Sequence, residues 1–464
     1  MRTRENDLTK GPLLKQIILF VLPIIGLNIL QNLFNTADTI VLGNFVDEKI
    51  ATTAVAAVGS TTPLINLVIG FFIGISLGAN VVVARCVGAG NLEKSRRCVA
   101  TAIILSLIAS AIILVVGLTL SKTFLIWMNC EAELLDLAHK YLFIYFLGIP
   151  FMMLYNFCAS ILRAVGDTLR PLIFLIIGGV LNVGLNIFSV TVLNMDVEGV
   201  AIATVASNAV SAICCLTVLL KSKGYGRFEL KNFKFYKTEI KETLHIGVPS
   251  GLQRVFFSIS NVILQSTINS FGDLATAGNA VAHTFDMYIG EIIAAFSITA
   301  MSFISQNLGA RNLSRIKKTA FISSALGSLT ALILGAIMLL LYKPLCLLIR
   351  DDVAILEYAK MRMFYVGLFF FIGAFQNIFG HVLRGLGKST TAMVISLFSG
   401  CILRIIWFEI VKVIFPNNLS AVLLSYSVTW AIGSILFLLI IIPTFTKLKR
   451  KFGENEEICD AQQN

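Results

Sequence analysis

GAGNLEKSRR at residues 88–97 and GARNLSRIKK at 309–318 are two versions of one phrase, separated by 221 residues. LRAVGDT (162–168) and LRGLGKS (383–389) recur at the same offset, and Pro23 and Pro249 stand 226 apart. A period close to half of a 464-residue chain points to two related halves. Working outward from these phrases, the text between them is almost entirely apolar. Hydrophobic residues make up 57% of the chain and charged residues 14%, with a mean hydropathy of +0.85. A soluble protein of this length carries about a quarter charged residues, so the composition indicates an integral membrane protein.

Apolar runs bounded by Gly, Pro and charge predict twelve helices, near 15–42, 53–84, 97–120, 134–162, 171–193, 198–220, 243–271, 276–307, 317–341, 354–383, 390–414 and 419–445. Continuous runs of that length exclude a membrane β-barrel, whose strands alternate. The predicted fold is an all-α integral membrane protein with twelve transmembrane helices in two pseudo-symmetric six-helix bundles. Six crossings return the chain to its starting side, so the repeats are parallel and leave a cleft between two lobes. The predicted domains are 1–220, a basic linker 221–242, a second bundle 243–446 and a tail 447–464.

The net charge of +11 is read as topology and not as a nucleic-acid footprint, because the basic residues lie mostly between the apolar runs. The N-terminus (with Arg2 and Arg4), the even-numbered loops and the tail hold 27 of the 37 Lys and Arg; the odd loops hold seven, including Arg350, Lys360 and Arg362. The positive-inside bias therefore places both termini in the cytoplasm of a multi-pass cell (inner) membrane protein. Acidic groups such as Asp47–Glu48 and Asp351–Asp352 fall in the outer loops. The first helix is too long for a signal peptide and is expected to be retained. The nine cysteines show neither CxxC pairs nor metal-ligand spacing, so zinc and a disulfide framework are not expected. GLGKST (385–390) lacks the leading glycine of a phosphate loop, whose place is taken by Val382. Gly70, Gly74 and Gly78 recur every fourth residue, which suits close helix packing within a lobe.

Polar residues inside the helices carry the functional signal. Asn28, Gln31, Asn32, Asn35 and Asp38 share one face of helix 1, and such a stripe suits a water-filled cavity and not lipid. Asn182 and Asn186 lie one turn apart on helix 5, and Thr204 shares a face of helix 6 with Ser207, Asn208 and Ser211, at a depth similar to that of Asn186. One carboxylate with amide carbonyls and a hydroxyl would suit Na⁺ at Asp38, Asn182 and Thr204. The carboxylate alone could equally carry a proton, and the Asn and Thr residues could serve interhelical hydrogen bonding. The second half offers a further polar set, Arg254, His283, Asp286 and Arg404. It reads either as ion pairs of Asp286 or Glu291 with Arg254 or Arg404, or as a substrate or proton site.

PIIGLNILQNLFNTADTIVLG (23–43), VGAGN (87–91) with LGARN (308–312), LRAVGDTLRP (162–171) and GVAIATVASNAVS (199–211) together resemble the multidrug and toxic compound extrusion (MATE) family over nearly the whole chain. The resemblance implies a cation-coupled antiporter, without cofactor and with Na⁺ or H⁺ as coupling ion. By alternating access it would export amphipathic, often cationic, drug-like compounds. It maps the cation site of the N-terminal bundle onto Asp38, Asn182 and Thr204. The second helix 5 position, often aspartate in that branch, is Asn186, which leaves one carboxylate where two would relay a proton. A monomer in contact with lipid, without nucleic acid, is expected. A lipid-linked saccharide flippase of the same superfamily is the alternative, and a membrane-embedded enzyme using His283, Asp286 or His381 is the reading from another class.

Overall fold

The computed structural model describes residues 5–45, 48–128, 130–349, 352–415 and 418–461, and side chains outside 48–50 and 454–461. Arg2, Arg4, Asp47, Arg350 and Asp351, used above for topology, lie outside the described residues. Among the described residues the chain is helical throughout: α1 (Leu13–Phe45), α2 (Glu48–Gly88), α3 (Leu92–Trp127), α4 (Ala132–Ala164), α5 (Leu169–Thr191), α6 (Val197–Lys221), α7 (Lys237–Asn269), α8 (Asp273–Gly309), α9 (Leu313–Leu340), α10 (Tyr342–Ile349), α11 (Leu356–Arg362), α12 (Phe370–Gly385), α13 (Ser389–Leu397), α14 (Leu403–Ile414) and α15 (Leu419–Ala461).

Ten spans are long and apolar enough to cross a bilayer, one of them formed by α13 and α14 together, and the pair α11 and α12, bent by 43°, makes an eleventh. The remaining long helix, α7, has 33 residues but a more polar middle containing Pro249, Gln253, Arg254 and Asn261. These twelve coincide with the twelve apolar runs. Leu107, Ile108, Ile112, Val115 and Leu120 leave a broad exposed apolar face on α3, as lipid-facing helices must. The chain is a multi-pass membrane protein.

The repeated phrases fold alike. Asn91 and Asn312 each cap the helix that follows, accepting from the backbone N–H of Lys94 at 2.9 Å and of Arg315 at 3.0 Å. The residue before each cap lies in the left-handed region, Gly90 at φ 69° and Arg311 at φ 56°. The second phrase repeats equally well, with Gly166 at φ 88° and Gly387 at φ 82°.

Contacts divide the chain into two compact units. Unit 1 takes the described residues before Leu8 together with Leu22–Gly251, and unit 2 takes Leu8–Val21 with Leu252 onward. In unit 1, α4 packs against α2, α3 and α6, and α5 lies on α6. In unit 2, α12 packs against α8, α9 and α15, so the fourth spanning helix of each half is the hub. Small residues permit the close approach, because in lipid it is packing that drives helix association. A Cβ at Gly74 would stand 2.3 Å from the backbone N of Gly251, and one at Gly78 2.3 Å from the carbonyl of Thr243.

Polar ends are tied down within each unit. Glu229, in the basic segment after α6, accepts from Arg96 at 2.8 Å and pairs with Lys231 and Arg227. Burial alone would raise its carboxyl pKa, but the hydrogen bond from Lys231 and the three cationic neighbours outweigh it and hold the pKa below the ordinary value. In unit 2, Arg315 donates to the carbonyls of Leu8, Lys10 and Gly11 and to Gln16, at 2.6–2.9 Å.

Candidate functional site

Two glycines assemble the first polar cluster. A Cβ at Gly179 on α5 would lie 1.9 Å from the Phe34 ring of α1, and one at Gly178 would lie 2.2 Å from Ser211 Oγ of α6. The bare backbone of α5 thus admits α1 on one side and α6 on the other. One turn beyond Phe34 comes Asp38, and one and two turns beyond Gly178 come Asn182 and Asn186. Sequence reading passed over this glycine pair, although GGVLNVGLNIF places it directly before the asparagines.

Asp38 is 9% exposed. Its Oδ1 accepts from Asn186 Nδ2 at 2.5 Å and its Oδ2 from Thr204 Oγ1 at 3.3 Å. Asn186 Nδ2 also donates to Asn182 Oδ1 at 3.3 Å, and Asn182 Nδ2 donates to Thr204 Oγ1 at 3.2 Å. The four side chains make one closed network, all from unit 1. Asn186 Oδ1 is buried within it and accepts no hydrogen bond. An orphaned carbonyl beside a carboxylate is unusual in an apolar interior, and it is the donor type that a hard monovalent cation takes. The oxygens of Asp38, Asn182, Asn186 and Thr204 therefore fit Na⁺ by chemistry, while the carboxylate by itself fits a proton. One turn beyond Asp38 on α1, Val41 and Leu42 belong to an apolar cluster with Tyr141, Val190, Val197 and Val200.

The helix 1 stripe does not join this network. Asn28, Gln31 and Asn32 are half-buried and Asn35 is exposed, and the carboxylate's hydrogen bonds come instead from α5 and α6. An amide face in mid-span suits water and not lipid.

The second cluster keeps one expected pairing, Glu291 with Arg254 as an electrostatic interaction, and departs from the other. Asp286 meets neither Arg254 nor Arg404; its Oδ2 accepts from Arg362 Nε at 2.7 Å. Arg362 also donates to Asn279 Oδ1 at 2.7 Å and contacts His283 Nδ1 at 3.1 Å. The loop charge count places Arg362 in an outer loop, yet it ends α11 and is 3% exposed. Its position eight residues inside the apolar run from 354 was the available signal. Arg404 lies 4.2 Å above the Tyr426 ring, and Arg362 approaches the same ring at 5.4 Å. Both arginines adjoin π-helical turns, Met363–Gly367 after Arg362 and Phe398–Ile402 before Arg404. Such turns insert one residue per turn and re-aim the side chains beside them. Arg254, the remaining member of the predicted set, stands apart on α7 and interacts electrostatically with Glu291.

Comparison with known proteins matches this architecture. The family model MatE covers residues 23–188 and 249–410, one stretch in each half. The chain is 26% identical over 405 residues to the probable multidrug resistance protein YoeA of Bacillus subtilis, spanning 84% of this chain and 85% of the relative. It is also 26% identical over 392 residues to the probable multidrug resistance protein NorM of Thermotoga maritima, spanning 83% and 82%. Among solved structures, a MATE crystal structure in the bent conformation superposes with a TM-score of 0.90 at 22% identity, covering 98% of this chain and all of that one. The chain belongs to the MatE family of multi-pass membrane proteins.

Proposed function

We propose that the protein is a secondary active multidrug efflux antiporter that exports amphipathic organic compounds, cationic ones among them, in exchange for Na⁺ or H⁺. The observation that carries this reading is the Asp38 network: one buried carboxylate, hydrogen-bonded on both oxygens, beside an amide oxygen without a partner. A lone carboxylate in a bilayer costs at least about 2.5 kcal/mol as an anion, so it is poised to take up a cation whenever one can reach it. Cation binding neutralises Asp38 and draws α1 toward α5 and α6; its release frees α1. Alternating access follows if substrate favours the arrangement that the cation disfavours, since each ligand shifts the equilibrium only by its differential affinity for the two states.

The two bundles, 1–220 and 243–446 joined by the basic segment 221–242, act as the moving halves, with both termini and the tail 447–464 in the cytoplasm. The second unit supplies no exchangeable ion. Asp286 is already neutralised by the guanidinium of Arg362, which cannot leave, and one coupling cation per cycle is the consequence. Support for a drug cargo comes from the names of the relatives, which include multidrug export protein MepA of Staphylococcus aureus. The test is transport by the monomeric protein in proteoliposomes under separately imposed Na⁺ and pH gradients. Asp38→Asn is expected to insert normally and to lose gradient-driven ethidium export; undiminished export by that variant would refute the assignment.

A further inference from the structure

Superposing the repeats at the Pro23–Pro249 offset aligns the α1 stripe Asn28, Asn32, Asn35 with Arg254, Ser258, Asn261 on α7. The polar face is kept and its charge is not: a neutral amide in unit 1 becomes a guanidinium in unit 2. Arg254 lies about 25 Å from the start of α7 and about 22 Å from its end, counting 1.5 Å per residue. There it is exposed, as are Asn261 and Gln265, with Ser258 half-buried. A charged side chain exposed at mid-span faces water and not lipid.

The surroundings of Arg254 are rich in donors. Arg384 in the last turn of α12 donates to Gln253 Oε1 at 2.5 Å and contacts the His381 ring at 3.1 Å. It is 4% exposed, and its Nε is buried without a partner. Arg163 occupies the equivalent place in unit 1, also in a last turn, so Arg384 is explained as a cation at the carbonyl end of a helix. Arg254 has no such counterpart. Using its oxygen for Arg384 leaves Gln253 with only its amide N–H groups to offer, beside a guanidinium and the hydroxyl of Ser258. One carboxylate, Glu291, faces Arg254 electrostatically, and Arg384 meets Arg254 as a like charge. Two neighbouring guanidiniums with one acid leave a positive surplus, and Arg254 carries its exposed part.

Resting on the transport reading above, we infer that this face of unit 2, centred on Arg254, recognises the anionic group of the substrate, a carboxylate, sulfonate or phosphate attached to an apolar body. Arginine suits the role because its fork meets two oxygens at once. Export of such an anion against an inward cation moves charge in one direction only. An inside-negative potential then drives both halves of the exchange.

The test uses the full chain in phosphatidylcholine vesicles under Na⁺ or pH gradients, comparing sulforhodamine B, an anion, with rhodamine 6G, a cation of the same ring system. Sulforhodamine B is expected to be the better substrate and to respond to a valinomycin-imposed potential. Arg254→Gln should lower the anion-to-cation rate ratio about tenfold, as loss of a hydrogen-bonded charge does, and Arg254→Lys should recover part of it. The dye comparison in the native protein needs no variant to fold. Movement of rhodamine 6G without sulforhodamine B overturns the inference and leaves the transport reading intact, and so does an unchanged ratio in Arg254→Gln. Scrambling of a fluorescent phosphatidylglycerol that is Arg254-dependent, with the soluble dye static, upholds the inference and assigns the anion to a lipid headgroup. Failure to move any of the three overturns the transport reading and this inference together.

Discussion

Unit 1 and unit 2 repeat one another in caps, turns and hub helix, yet their buried charges are opposite in character. In unit 1 the cluster is an acid among amides and a hydroxyl, Asp38 with Asn182, Asn186 and Thr204. In unit 2 the corresponding spanning helices bring Arg404 and Tyr426 together, with Arg362 and Asp286 beside them. The first gathers oxygens of the type that a mobile cation takes; the second carries its positive charge on side chains of the chain itself. Duplication supplies the frame, and under the antiport reading proposed above the difference in charge divides the labour between the halves. A carboxylate that can be neutralised from solution responds to ion gradients, and one paired to a guanidinium does not.

The sharpest way to break this comparison is to remove the charge from each acid in turn. Asp38→Asn should abolish gradient-driven export, at least a hundredfold in initial rate, as loss of the coupling group implies. Asp286→Asn should instead reduce thermal stability while keeping coupled export at the level of folded protein. Equal loss of coupling in both variants, measured per folded molecule, would remove the division of labour.

Next in size is the ion pair itself. Arg362→Ala leaves Asp286 buried without its partner and should cost about 3–5 kcal/mol, seen as a large drop in the detergent melting temperature. Replacing both members, Arg362→Met with Asp286→Leu, should regain most of that stability, since well-packed apolar pairs substitute for buried ion pairs. A double variant as unstable as Arg362→Ala would show that the pair does more than neutralise itself.

In unit 1 the comparable weak point is a glycine. Gly179→Val places carbon where the Phe34 ring now lies, and overpacking of that kind costs about 1–3 kcal/mol. Because it pushes α1 from α5, it should also reduce Na⁺- or H⁺-driven export more than it reduces substrate binding. A variant with lower stability and unaltered coupling would separate packing from the site.

The smallest effect sharpens the repeat. Arg311 adopts φ 56° where its counterpart Gly90 has φ 69°, and a side chain in that region costs about 1 kcal/mol. Arg311→Gly should therefore raise stability by up to about 1 kcal/mol, offset in part by the entropy of glycine in the unfolded chain. A lower melting temperature would mean that the Arg311 side chain makes compensating contacts.

Much of the molecule was legible before any coordinates. The twelve spans follow from apolar length, since a bilayer admits backbone only as closed helices, and the halves follow from two phrases repeated at one offset. Asp38, Asn182, Asn186 and Thr204 could be brought together by depth alone, because helix rise converts residue number into distance from the membrane surface. The partner of Asp286 could not. Arg362 sits near the start of its run, where a residue reads equally as loop or helix, and the π-helical turn after it changes which way the helix points its side chains. Nor did residue spacing reveal that Gly178 and Gly179 seat two neighbouring helices, or that the α1 stripe stays apart from the aspartate on its own face.

The amino-acid sequence by itself determined that this chain lies in a membrane, how often it crosses, that it is a duplicated MatE-type protein and that Asp38 shares one helix face with a row of amides. Those properties are sums over local pattern, and hydropathy, period and spacing carry them. Tertiary structure alone decided which guanidinium neutralises Asp286, which amide oxygen beside Asp38 is left over, and that Arg254 is exposed. Each of these depends on how side chains from helices distant in sequence meet. At van der Waals separation a shift of one residue, or one extra residue in a helical turn, exchanges one partner for another.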